Sequence, residues 1–176
     1  MNLAAIPAMS SDETFHVIVE SPRGSALKLK YESRWQTMTV SRPLIVGMTF
    51  PFDWGFIPST AMPDGDPLDV MLVWDVSTFP GVVVEARALG VLQLEQNRTN
   101  HDKSVRVRND RVLCVPVQAR RQETVRAYTD LSPRLLKEYE QFAIAVTALE
   151  GKEVEIIGWA DARTALELIR SHLSAS

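Results

Sequence analysis

Apolar and polar positions divide this chain into a strand-like first part and a helical last part. Phe15-His16-Val17-Ile18-Val19-Glu20 has the β-branched content of a strand, and Ser21-Pro22-Arg23-Gly24 ends it. Leu27, Leu29 and Tyr31 alternate with Lys28, Lys30 and Glu32, which predicts a second strand with one apolar and one charged face. Thr37 to Val40 is expected to return beside it, and Val70 to Trp74 reads as a core strand. Val82 to Leu92 is strongly strand-like after a Pro80-Gly81 turn, and Val112 to Val117 is another strand, with Pro116 placing it near an edge or end. Between these two, the polar stretch Gln93 to Asn109 reads as a long hairpin or an insertion.

The helical part opens at Ser132-Pro133, an N-cap hydroxyl followed by Pro in the first turn. Leu135, Leu136, Tyr139, Phe142, Ala143 and Val146 then form an apolar stripe at helical spacing, ended by Gly151. Val154 to Ile157 predicts a short strand, and Asp161 to Leu173 a second helix through Ala165, Leu168, Ile169 and Leu173. This is an α+β order: mainly antiparallel strands closing into a small twisted barrel, with two C-terminal helices packed outside.

A chain of 176 residues makes one ordinary domain, here residues 1–176 with a loose segment over about the first 14. With 45% hydrophobic and 23% charged residues, it has a globular composition. The net charge of -3, with basic residues spread apart from Arg106 to Arg111 and Arg120-Arg121, weighs against nucleic acid as a partner. Cys114 is the only cysteine, which rules out an internal disulfide and suits a reducing compartment. The opening residues do not resemble a secretory signal, and no stretch is long enough to span a bilayer, so a cytoplasmic protein with no membrane partner is expected.

The chemistry concentrates in Asp64-Gly65-Asp66-Pro67-Leu68-Asp69, three carboxylates within six residues at the entry to a core strand. Converging ionised carboxylates repel, so either some become neutral or a cation sits among them; a hard divalent ion such as Mg²⁺ or Mn²⁺ suits all-oxygen ligands. A solvated turn competes with this reading, because Asp-Gly and Asp-Pro are common turn dipeptides. A Ca²⁺-binding EF-hand is excluded: Leu68 falls where a ligand is required, and Asp75 where the bidentate Glu belongs. The predicted hairpin can deliver Lys28, Arg42 and one or both of Lys30 and Glu32 to the same polar site, although a solvated charged face is the other use of such alternation.

The run from Phe50-Pro51-Phe52-Asp53-Trp54-Gly55-Phe56 through the Asp cluster to Val73 resembles the signature region of soluble family I inorganic pyrophosphatases. The resemblance extends from about His16 to Trp159 and takes in Glu20-Ser21-Pro22-Arg23-Gly24 and Gly151-Lys152. It implies a five-stranded OB-like barrel, a homo-oligomer, and Mg²⁺-dependent hydrolysis of pyrophosphate. It also implies Asp64, Asp66, Asp69 and Glu20 as metal ligands and Asp66 as water activator. Lys28 and Arg42 would be catalytic and, with Arg111, would bind the substrate.

Several positions depart from that pattern. Trp54 stands in place of a Tyr, Asp53 in place of an Asn, Gln96 and Asn109 fall on or near two further Asp, and Val146-Thr147 fall on a Tyr-Lys pair. Lys30 stands where the family has a Glu, unless a shorter turn brings Glu32 there; Glu95, Asp102 or Asp110 are candidates to replace the missing ligands. Weakened turnover is therefore expected. The alternative is a weakened or inactive pyrophosphatase-like protein that binds metal and a phosphorylated ligand or partner; an OB-like nucleic-acid binder fits the acidic balance poorly.

Overall fold

In the computed structural model, which describes residues 2–63, 65–98 and 105–174, nine strands and two α-helices follow one another. They are β1 (Thr14–Ser21), β2 (Leu27–Glu32), β3 (Thr37–Pro43), β4 (Asp53–Ile57), β5 (Leu68–Leu72), β6 (Val83–Asn97), β7 (Arg106–Arg108), β8 (Arg111–Pro116), α1 (Pro133–Ala145), β9 (Val154–Asp161) and α2 (Ala162–Ser171). β1, β4, β5, β8 and β6 pair in that order, and β6 pairs back onto β1, so the five strands close into a barrel. All of these pairings are antiparallel except β5 with β8. The fold class is α+β, as the strand-then-helix order predicts, with the OB-like barrel that the family resemblance implies.

Alternation along the strands separates two apolar layers. Val70 and Leu72 of β5, with Val112 and Cys114 of β8, join a cluster that Ala165 and Ile169 of α2 complete. Met71 and Val73, with Leu113 and Val115, join Phe50, Phe52 and Trp54 beneath Tyr139 and Phe142 of α1. The Phe52 ring meets the Tyr139 ring edge-on at 5.0 Å. Cys114 is fully buried, and burial pushes its thiol pKa up, as expected of an inert core residue.

The predicted helix starts are present. The Ser132 hydroxyl accepts the Leu135 N–H, and the Asp161 carboxylate accepts the Thr164 N–H. α1 stops at Ala145, short of Gly151; a separate turn of 3₁₀ helix covers Ala148–Glu150, and Gly151 follows at φ 69°. The stretch Gln93 to Asn109 is a hairpin: β6 runs on to Asn97 and β7 pairs back at Glu95, Gln96 and Asn97. The first residues, expected to be loose, pack down. Leu3 is buried with Ile18, Tyr31 and Phe56, and its N–H donates to the Tyr31 hydroxyl. Among the described residues no helix is long and apolar enough to cross a membrane.

Candidate active site

A cavity of about 100 Å³ opens at one end of the barrel, between β2, the loop before β5, the β6–β8 edge and the residues after α1. Glu20, Lys28, Lys30, Trp54, Asp66, Asp69 and Arg111 line it, together with Gln96, Asn109, Thr147 and Lys152. Five of the seven site residues expected from sequence thus face one space: Glu20, Lys28, Asp66, Asp69 and Arg111. Asp64 lies outside the described residues. Arg42 is not among the lining residues.

Glu20 sits near the end of β1 and is 7% exposed. Its carboxylate accepts the Tyr31 N–H at 2.7 Å. Burial pushes its pKa up to about 7, the Tyr31 hydrogen bond opposes this, and the nearby Asp69 charge adds to the rise. Lys28 lies on β2 opposite Arg42 of β3. Burial holds its pKa below the ordinary lysine value; the Asp69 charge works against this, while Arg111 and Arg42 reinforce it. A desolvated ammonium beside two guanidinium groups is a place made for an anion.

Trp54 supports these cations. Its ring lies 5.9 Å from the Lys28 Nζ and 5.0 Å from the Arg111 guanidinium carbon. Arg111 is 9% exposed, pairs with Asp69 and donates to the Asn109 side-chain oxygen. The residue that departs from the Tyr of the family pattern is therefore a platform under two positive charges as well as a member of the core beneath α1.

The structure settles which residue of β2 reaches the cavity. Lys30 lines it and pairs with Asp66 at 2.9 Å, whereas Glu32 turns to Arg34. Arg42 is held by Glu150 at 3.2 Å and by the Val146 carbonyl, so its guanidinium is anchored beside the cavity. Asp53 is also structural: it accepts the Arg23 N–H and the Thr78 hydroxyl. Of the acidic residues considered as extra ligands, Asp110 binds the Leu94 N–H and Arg108, Glu95 does not line the cavity, and Asp102 lies outside the described residues.

Lys152 lines the cavity as well, a residue that the family resemblance takes in without giving it a role. Lys152 follows the left-handed Gly151, and that turn sets it on the cavity wall. A basic residue just after a helix-ending Gly was the available signal.

The model of the inorganic pyrophosphatase family matches residues 17–175 of this chain. The chain belongs to that family. An inorganic pyrophosphatase of Synechocystis is 35% identical over 96% of this chain and 95% of its own length. The crystal structure of inorganic pyrophosphatase from Thermus thermophilus superposes with a TM-score of 0.89 at 32% identity, covering 98% of this chain and 97% of that one. That of Coxiella burnetii gives 0.85 at 32% identity, over 96% and 98%. This agreement in family and fold accords with the resemblance seen in the Asp cluster and the segments around it.

Proposed function

We propose that this chain hydrolyses inorganic pyrophosphate to two phosphates, with a divalent cation, Mg²⁺ by preference, as cofactor. The observation that carries the reading is the placing of Lys28 and Arg111 against Glu20, Asp66 and Asp69 in one cavity of a chain belonging to this family. Among the described residues no three ligand side chains converge tightly enough to hold an ion unaided. The donor set nevertheless fits a hard cation: three carboxylates share the cavity, all are oxygen donors, and burial together with the Asp69 charge pushes the Glu20 pKa up. Asp66, Asp69 and Glu20 would hold the ion, with Asp64 of the same motif.

When bound, the cation acidifies water and draws charge off the phosphoryl oxygens. The chain's own groups do the rest. Lys28 and Arg111 bind the substrate oxygens, Arg111 through two N–H donors, and the Trp54 ring lies against both cations. Asp66 accepts the proton of the attacking water at a carboxylate oxygen. Arg42, anchored by Glu150, adds positive charge beside Lys28.

Turnover is expected to be low, because Gln96, Asn109 and Thr147 line the cavity where the family pattern has carboxylates and an ammonium. Phosphate release from pyrophosphate with Mg²⁺ tests the reading. The parent should turn over, and Val146→Tyr, Thr147→Lys and Asn109→Asp combined should raise kcat by about tenfold or more, since groups acting as a unit gain little singly. Parent turnover typical of the family would show that other residues supply the missing contacts. No turnover in either protein would favour a metal- and phosphate-binding protein without catalysis.

Glu20 gives the site a pH dependence. Its folded-state pKa of about 7 lies above the ordinary 4.5, so the folded protein holds this proton more tightly than the unfolded chain. The corresponding stability is present below about pH 4.5 and is lost as pH rises through about 7. Cation binding requires the carboxylate, so Mg²⁺ affinity should fall by about tenfold per pH unit below pH 7. Calorimetry at several pH values should show this slope in the parent and flatten it in Glu20→Gln; equal slopes would remove Glu20 from the ligand set.

A further inference from the structure

Among the described residues that line the cavity, three carboxylates, Glu20, Asp66 and Asp69, already face four cations, Lys28, Lys30, Arg111 and Lys152. A divalent ion therefore enters only where one of these positive groups gives way. Two of the cations hold a carboxylate: Arg111 pairs with Asp69, and the Lys30 Nζ lies 2.9 Å from Asp66. The two pairs differ in how firmly they are held. The Arg111 side chain is 11% exposed, donates to the Asn109 oxygen and lies against the Trp54 ring. The Lys30 side chain is 49% exposed and that of Asp66 62% exposed, so solvent surrounds both partners. The charges of Glu20 and Asp69 act on the Lys30 ammonium as well. Lys30 is thus the cation that sits among all three carboxylates and is the easiest to move.

We propose that Lys30 is a tethered counter-ion of Asp66: it leaves that carboxylate when a divalent cation binds, and turns to the phosphoryl oxygens of the substrate. The proposal rests on the pyrophosphate reading, which supplies both the cation and the anion. Before the exchange, the Lys30 ammonium donates to the Asp66 Oδ1, and that oxygen can neither ligate a cation nor accept the water proton until the ammonium moves. An ion pair this exposed is worth about fivefold in affinity at most, so a doubly charged ion displaces it. A lysine is suited to the exchange, being a compact charge with three donors on a flexible stem that changes partner without moving β2. Lys28 lies two residues away on the same strand and lines the same cavity, so the freed ammonium arrives where Lys28 already draws the anion. Lys30 thus weakens cation binding and strengthens substrate binding.

Mg²⁺ binding is measured by calorimetry for the parent, Lys30→Gln and Lys30→Arg, with a thermal melt to show that each is folded. Lys30→Gln should bind Mg²⁺ about fivefold more tightly, whereas Lys30→Arg, which keeps a cation within reach of Asp66, should stay within about twofold of the parent. The exchange itself is read in the parent from the rate at which an amine-acetylating reagent labels Lys30, followed by mass spectrometry of the peptide. Mg²⁺ should raise that rate about fivefold, because the pair no longer shields the amine. Methylene diphosphonate, a non-hydrolysable pyrophosphate analogue, should lower it again when added with Mg²⁺. An unchanged or weaker Mg²⁺ affinity in Lys30→Gln overturns the proposal, as does a labelling rate that Mg²⁺ does not raise or the analogue does not lower. A parent that binds no Mg²⁺ overturns it as well. Phosphate release from pyrophosphate without these effects leaves the pyrophosphate reading standing; the effects without phosphate release sink that reading and leave the displacement of Lys30 in place.

Discussion

Asp66→Asn is expected to lower kcat for pyrophosphate by about a thousandfold while leaving the melting temperature almost unchanged. The substitution keeps the size of the side chain but removes the charge and basicity that the proposed water activation needs, and loss of one such group costs about 10²- to 10³-fold in comparable sites. Stability should hardly move. The Asp66 side chain is 62% exposed and that of its partner Lys30 is 49% exposed, and ion pairs of that kind contribute about 1 kcal/mol at most. Phosphate release and a thermal melt on the same preparation separate the two effects. More than a tenth of parental turnover in a folded variant would remove Asp66 from the proton transfer.

The second large effect falls on stability. Gly55 lies on β4 opposite Val19 of β1, and a Cβ built there would stand 2.0 Å from the Ile18 carbonyl oxygen and 3.1 Å from the Val19 Cα. Both are backbone atoms, so no rotamer change relieves the clash; β1 and β4 must separate. Gly55→Ala should therefore cost at least about 3 kcal/mol, beyond the usual range of overpacking by one methyl group. For a domain of this size that lowers Tm by roughly 6 to 12 °C. Activity should fall with it, because the same pairing sets Trp54 beside Ser21, next to Glu20. A melt within 2 °C of the parent, about the effect of 1 kcal/mol or less, would show that the strands part at little cost.

What the chain reveals by pattern and what it hides divide along physical lines. The alternation at Leu27 to Glu32, the N-cap at Ser132 and the apolar stripe through Tyr139 and Phe142 are local signals, and the corresponding elements form. Asp66 and Asp69 of the Asp motif lie at the end of the barrel where the cavity opens, because the motif leads straight into β5. The polar stretch after Leu92 is harder, because composition suggests exposure whereas Asn97 is fully buried. Its amide donates to the Gly151 carbonyl and accepts the Glu153 N–H, so a distant loop satisfies it. The position of Arg42 has the same origin: Glu150 and the Val146 carbonyl, more than 100 residues away, hold it. The choice between Lys30 and Glu32 was open for a related reason, since both share the charged face of one strand and only the loop carrying Asp66 distinguishes them.

The parallel pairing of β5 with β8 has a consequence for how quickly the protein becomes active during folding. Val70 lies beside Val112 across β5 and β8, and Thr14 lies opposite Arg87 across β1 and β6. Joining such distant stretches carries a large chain-closure entropy before any contact is gained, so these seams should zip after the β2–β3 hairpin and the two helices. Asp69 and Arg111 sit next to the parallel seam and meet only when it closes. Helical signal should thus return early on dilution from denaturant, with phosphate release lagging behind it, so the enzyme's own turnover becomes the clock for the final step of its assembly.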